Sequence, residues 1–401
     1  MLTPVQAITK KAVVIVPIAD LVGAPIKSFN IKNTVKDSYD NLAVCGFESK
    51  PWLGAPRIFQ ILFNEAVEII TTHEGKNGDE DECCIAVSSA YFITAKDHKP
   101  QNLFWTKTKN LLPLNRIQSQ FLPETLSFKH PEQYSTKNTL VLSKPFCDQN
   151  TKKVYSPGTR FIYDPHTSLF DSYLVYIFDP TKKKFETVSI PKSMCITLQK
   201  RSHKEAMNYF VTILKDWANS KQGVIPYVWG GCSFTQPCKF AEFKTKDQRM
   251  KTETVPVYDR TDYSVNPCTG FDCAGIILRA AQICGIPYFF KNTYTLAHFL
   301  KSLGVDSHLK EGDLIWIPGH VMVVSDMKKN TLIEARGYSH GYGIVQEISL
   351  SKVFKNIKTY DELIHTFHTH TPLIRLNKEG KEVEYIKQFK LLKLDSVWDL
   401  S

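Results

Sequence analysis

Three features are scarce in this chain of 401 residues, and each absence narrows what it can be. No apolar run approaches the 18 or more residues of a membrane-spanning helix, so no membrane partner is expected. No stretch interleaves basic and aromatic residues on one face, so no nucleic-acid partner is expected either. The net charge of +10 sits in short runs such as "TKKKFE" and "NTKKVY" beside turn residues. That pattern reads as solvated loop lysines, with a field favouring an anionic substrate as the alternative. The ten cysteines form no regular framework, and Cys83 and Cys84 are adjacent, which favours reduced thiols in a cytoplasmic compartment. Cys232, Cys238 and Cys268 lack CxxC spacing, so neither a metal nor any other cofactor is expected. Lys10 and Lys11 precede an apolar run as in a secretion signal, but Pro17 and Asp20 break it. Ala12 to Ile18 is therefore expected to be a β-strand.

What is present is an ordinary globular composition, 43% hydrophobic and 22% charged, in a length that suits two or three domains. Residues 12–117 read as short strands separated by charged or Gly/Asn-rich loops, as in a small barrel. After the connection "LLPLNRIQSQFLPE", a second β-rich block of the same kind runs from about 138 to 200, in a unit bounded at 118–200. From residue 201 the pattern changes. Ala206, Tyr209, Phe210, Ile213, Leu214 and Trp217 recur at helical spacing, and strand-like "DLIWIPGHVMVVSD" and "TLIEARGY" follow later. A helix followed by strands is the order of an α+β domain. "NKEGKEVEYIKQFKLLKL" in the tail predicts a hairpin turning at Gly380.

The chemistry centres on "TGFDCAGIILRAAQICG". Ile276, Ile277, Ala280, Ala281 and Ile283 supply a buried helical face, and Gly285 with Pro287 marks the stop. Cys273 falls in the first turn, where the helix dipole and unpaired N–H groups favour a thiolate. Asp272 is a candidate cap, and Cys284, at the far end, is read as structural. A nucleophilic cysteine needs a base, and His320 begins the strand after the Pro318-Gly319 turn. A fold-back centred on Met327 sets His320 opposite Glu334, whose carboxylate would orient the imidazole. A turn one or two residues later would break that pairing. A lone cysteine or histidine is most often a packing residue; the two together, flanked by "PYVWGG" and "GDLIWIPGHV", favour a reacting pair.

These motifs, "PYVWGG", "GFDCAG", "GDLIWIPGHVMVV" and "LIEA", resemble in order those of the NlpC-type papain-like cysteine peptidases, over about residues 205–340. With two β-rich blocks ahead, the chain is similar to γ-D-glutamyl-L-diamino acid endopeptidases bearing paired bacterial SH3-like domains. The resemblance implies two small SH3-like β-barrels (12–117 and 118–200) followed by an α+β papain-like peptidase domain (201–401) with an insertion at 232–269. It implies a murein stem peptide with a free N-terminal L-Ala as substrate. Cys273 would be the nucleophile, His320 the base, Glu334 the third polar residue and Tyr227 a hydroxyl near the oxyanion. Asp272 would bind the substrate ammonium, in competition with its capping role, and Trp229 would line that pocket. Ala274 stands where the family usually has Ser, so Thr293 and Arg336 are candidates to bind the D-Glu carboxylate instead. Tyr91 and Glu82 are candidates for a subsite residue from the first SH3-like block. The insertion either covers the cleft or elaborates the surface. A wall-binding protein with an inactive hydrolase domain, or an exported lysin, are the alternatives.

Overall fold

The computed structural model describes residues 10–23, 25, 57–74, 81–93, 98–130, 138–167, 169–198, 201–221, 223–235, 269–305, 307–337 and 342–400. Residues 236–268, most of the expected insertion with Cys238 and Cys268, lie outside them. No helix of the described residues is long and apolar enough to cross a membrane.

The first β-rich block holds β1 (Lys10–Val14), β2 (Ile18–Val22), β3 (Arg57–Leu62), β4 (Ala66–His73), β5 (Glu82–Ala86), β6 (Leu103–Lys107) and β7 (Leu111–Pro113). They form one seven-stranded sheet in the order β3-β2-β6-β5-β4-β1-β7, with every pairing antiparallel. The strand expected over Ala12–Ile18 is broken into β1 and β2 because the chain turns at Pro17, which has no N–H to give a ladder. A small closed barrel was the other expectation here, and among the described residues the sheet stays open. β2 and β6 meet only at Val22 and Trp105, and the edge strand β3 is covered by a later part of the chain instead of pairing with β7. Gln60 Oε1, on β3, accepts from the Cys232 backbone N–H at 3.0 Å and the Ser233 hydroxyl at 2.6 Å. Covering an edge in this way removes the need for closure.

The second block also departs from a barrel, splitting into small sheets. β8 (Thr139–Leu142) pairs with β9 (Arg160–Ile162) and β12 (Cys195–Thr197), while β10 (Ser172–Asp179) and β11 (Lys184–Pro191) form a separate long hairpin. Tyr155, Phe161, Val175, Ile177 and Ile190 pack between them with Phe63 from the first block.

The third part begins with α1 (His203–Ala218), started by a reciprocal Ser202–Glu205 capping box. Its buried face carries Ala206, Met207, Phe210, Val211, Ile213, Leu214 and Trp217; Tyr209, expected on that face, is 46% exposed. α2 (Cys273–Cys284) ends at Gly285, left-handed at φ 75, and α3 spans Thr293–Phe299. Five antiparallel strands follow: β13 (Leu314–Ile317), β14 (His320–Asp326), β15 (Thr331–Arg336), β16 (Ile344–Ser349) and, from the tail, β19 (Lys390–Leu392). Their order is β16-β15-β14-β13-β19. The tail hairpin, β17 (Leu373–Leu376) and β18 (Glu382–Ile386), turns at Gly380 with φ 77, as expected. The architecture is thus mixed α and β with several small sheets. One core cluster runs from the first sheet through α1 and α2 to Val321, Val323, Ile333 and Ala335 of the five-stranded sheet.

Candidate active site

Cys273 opens α2 because the residue before it is a working cap. Asp272 is extended (φ −87, ψ 175), and its Oδ1 accepts the Gly275 N–H at 2.6 Å. Position 275 must be glycine, since a Cβ there would lie 2.1 Å from the Gly231 carbonyl oxygen. That close approach lays the "WGG" loop across the start of α2. Tyr227 pairs in parallel with Phe271, two residues before Cys273, and the Trp217 ring of α1 stacks on Phe271 at 4.9 Å.

The free oxygen of Asp272 is taken from within. Lys291 Nζ lies 2.6 Å from Asp272 Oδ2, and Lys291 is only 4% exposed. The first β-block holds this lysine in place: Tyr91 bridges Phe290, and the Lys291 N–H donates to the Tyr91 carbonyl at 3.1 Å. Asp272 raises the Lys291 pKa against the lowering effect of burial, so the ammonium persists.

The expected thiolate at Cys273 is not what the surroundings favour. Burial pushes its thiol up to about 12, and the Asp272 charge acts in the same direction. Lys291 and the backbone N–H groups of Val321 and Ala274 offset this only in part. The helix terminus favours an anion, but removing sulfur from water costs more than the dipole returns.

The sheet side supplies the histidine. His320 is 8% exposed and Glu334 1% exposed, and His320 Nε2 lies 2.9 Å from Glu334 Oε2. The register behind this contact differs from the expected one. Val323 faces Ile333 and Val324 faces Leu332, followed by a bulge before Asp326, so the ladder extends to put Met322, not His320, opposite Glu334. The slip is two residues, which keeps the same face, and His320 reaches Glu334 as its diagonal neighbour. The pairing therefore survives a later turn.

Glu334 is the most heavily bonded side chain of the site. Arg375 Nη2, from the tail strand β17, lies 3.0 Å from the same oxygen that meets His320. Gln346 Nε2 donates to the other oxygen at 3.1 Å, and Arg336 Nη1 stands 3.8 Å from it. Burial works to raise the Glu334 pKa, but the His320 hydrogen bond and the two guanidiniums overcome it and hold the carboxyl at about 2. An ionised carboxylate can only accept, so Nε2 of His320 carries the proton and Nδ1 is the basic nitrogen. Burial, seconded by Arg375, lowers the His320 pKa to about 4, so the ring is neutral at pH 7.

The two sides meet through the backbone. Pairing of β14 with β15 begins only at Val323, and nearer the site the Val321 N–H faces the Cys273 thiol. Among the described residues, no hydrogen bond joins Cys273 to the His320 ring. His320 shares the strand alternation of Met322 and Val324, whereas Val321 and Val323 pack toward α2. The contact from α2 therefore reaches the strand at Val321, the residue after His320, while the imidazole itself is engaged by Glu334.

The remaining expected residues are dispersed in role. Trp229 is 40% exposed, open to solvent. Ala274 is buried in the main core, and Thr293 is half-buried at the start of α3, its carbonyl accepting from the Trp316 indole at 2.8 Å. The Tyr227 ring lies against Gly337. Arg336 is 1% exposed, pointing to Glu334, the Leu376 carbonyl and the Tyr342 ring rather than into open space. Tyr91 packs on Phe128 and Phe299, and Glu82 is 4% exposed within β5. Lys291 and Arg375 were missed by sequence reasoning. Their only signals are a cation set in "YFFKN" and an arginine sharing the face of Leu373 in "LIRL".

No protein-family profile matches the chain, and no curated protein matches it by sequence. Among solved structures, it is similar to the peptidoglycan hydrolase RipB of Mycobacterium tuberculosis, with 22% identity over 39% of this chain and 68% of that one. The TM-score is 0.24.

Proposed function

We propose that the chain is a cysteine peptidase acting on peptidoglycan stem peptides, and that it cleaves the γ-D-glutamyl–diamino acid bond in murein peptide recycling in the cytoplasm. The observation that carries this reading is the arrangement of Cys273 at a capped helix start beside Val321, with the preceding residue, His320, oriented by a buried, ionised Glu334. The resting pair is a neutral thiol and a neutral imidazole, so His320 acts as a general base rather than as half of an ion pair. On attack, the thiol proton passes to His320 Nδ1 while sulfur bonds to the substrate carbonyl carbon. Glu334 stabilises the imidazolium, which then protonates the leaving amine. The thioester left on Cys273 is hydrolysed by water activated by the same imidazole.

Incubation of the purified protein with L-Ala-γ-D-Glu-diaminopimelate is expected to release L-Ala-D-Glu, read by mass spectrometry, and Cys273→Ala is expected to abolish release while leaving the fold intact. Full activity in Cys273→Ala, or no cleavage between about pH 6 and 9, a window set by ordinary His and Cys values, would sink it. A second reading concerns the substrate's amino end. Because Lys291 already occupies Asp272, an N-acetylated tripeptide is expected to be cleaved as well as the free one, which would extend the substrates to intact wall. A strict requirement for the free amine would return Asp272 to ammonium binding.

A further inference from the structure

Behind the reacting pair lies a charge pattern that the peptidase reading does not need. Glu334 faces two guanidiniums, Arg336 and Arg375, and all three side chains are at least 96% buried. Arg336 sits on the same strand, two residues on, and its guanidinium lies over the Tyr342 ring at 4.6 Å. Arg375 comes from the tail hairpin, 41 positions after Glu334, and approaches the oxygen that His320 uses. Two groups within about 3 Å of one carboxylate oxygen compete for its electron density: 2.9 Å from His320 Nε2 and 3.0 Å from Arg375 Nη2. A guanidinium so placed cannot shed its proton, and it opposes any second positive charge arriving on the imidazole.

We propose that Arg375 is a positioning residue for His320: by sharing Glu334 Oε2, it holds the imidazole in the neutral form that is basic at Nδ1, and so sets the acid limit of the Cys273–His320 pair. The groups around His320 agree. Glu334 and Arg336 come from β15 and Arg375 from β17, with Glu384 of β18 opposite Arg375 in the hairpin and acting on Arg336, Gln346 of β16 neutral, and β13 offering only Leu314, Ile315, Trp316 and Ile317. Glu334 is the one buried carboxylate among these groups, Glu384 being only half-buried, so a protonated ring would set three cations against one buried anion. Burial and Arg375 depress the His320 pKa together, with Arg336 adding to them. The tail hairpin thereby becomes part of the machinery, although it lies beyond the catalytic motifs in sequence.

This inference rests on the reading of Cys273 and His320 as the reacting pair, but its test does not require turnover. The imidazole of His320 is titrated by nitrogen-detected NMR, assigned with His320→Gln, in the intact protein and in Arg375→Gln and Arg375→Lys. The pH dependence of Cys273 alkylation by iodoacetamide is followed in parallel. Arg375→Gln is expected to raise the His320 midpoint by about one pH unit and to move the acid limb of alkylation with it, whereas Arg375→Lys keeps both near their native positions. If Arg375→Gln does not fold, Glu334→Gln is compared with Glu334→Gln/Arg375→Gln, which removes both charges of the pair together; the same upward displacement is expected in the double variant. An unmoved midpoint in a folded Arg375→Gln or double variant overturns the proposal, as does an Arg375→Lys variant displaced as far as Arg375→Gln. Failure to cleave any stem peptide would count against the peptidase reading alone.

Discussion

The two sides of the site solve one problem with different chemistry. On the helix side, one carboxylate, Asp272, meets one ammonium, Lys291, and caps a helix with its other oxygen. On the sheet side, one carboxylate, Glu334, is shared by a histidine, a glutamine and two arginines. Lysine can lose its proton when its partner is removed, whereas arginine cannot. The helix side can therefore relax by neutralising, and the sheet side has no such escape. The two sides also protect opposite ends of the pH scale. His320 and Glu334 are depressed, while Cys273 and Lys291 are raised.

That contrast sets the order of expected effects. Glu334→Gln leaves Arg336 and Arg375 buried without a countercharge and is expected to lower unfolding free energy by about 3–5 kcal/mol, measured by urea denaturation. A loss below about 1 kcal/mol would mean the cluster is screened and the contrast empty.

Acid comes next. His320 sits at about 4 in the folded protein against an ordinary 6.5, so between these values the unfolded chain holds more protons. Stability is then expected to fall as pH drops from about 6.5 to 4, by roughly 2 kcal/mol, with Glu334 adding a further loss below its ordinary 4.5. Alkali acts on the other side: Cys273 at about 12 against an ordinary 9.0 removes stability as pH rises through that interval. Lys291, raised above its ordinary value, is lost in the same direction. Denaturation midpoints across pH should lose the further drop below about 4.5 in Glu334→Gln while the drop between about 6.5 and 4 persists, because Glu334 raises rather than lowers the His320 pKa. Both should be unchanged in Asp272→Asn.

The smallest effect is expected from Asp272→Asn, which keeps a capping oxygen but removes the countercharge of Lys291. Its cost should be about 1.5 kcal/mol, the low end for a hydrogen bond to a charged group, and should shrink at high pH, where Lys291 is already neutral. A cost equal to that of Glu334→Gln at every pH would erase the distinction between the two sides.

Much of this site was legible because its causes are local. The Asp272 cap, the start of α2 at Cys273, the stop at Gly285 and the Gly380 turn depend on residues a few positions apart. The His320–Glu334 contact was legible despite a mistaken register, since a slip of two residues preserves the face of a strand. The open first sheet was not legible, because what covers β3 is the Cys232–Ser233 segment, more than 170 positions away. Nor was the protonated thiol: the dipole argument at Cys273 was sound, and the opposing desolvation depends on how deeply folding buries the sulfur.

By itself, then, the order of residues determined where helices begin and end, which strand faces carry His320 and Glu334, and which thiol stands at a helix start. Caps, turns and alternation act over a few residues and need no distant partner. Only the tertiary structure decided the charge on each group. Lys291 reaches Asp272 because the first β-block pins its backbone, and Arg375 reaches Glu334 because the tail folds back over the sheet. Ionisation depends on the solvent excluded and the charges assembled around a group, and both are properties of the packed chain.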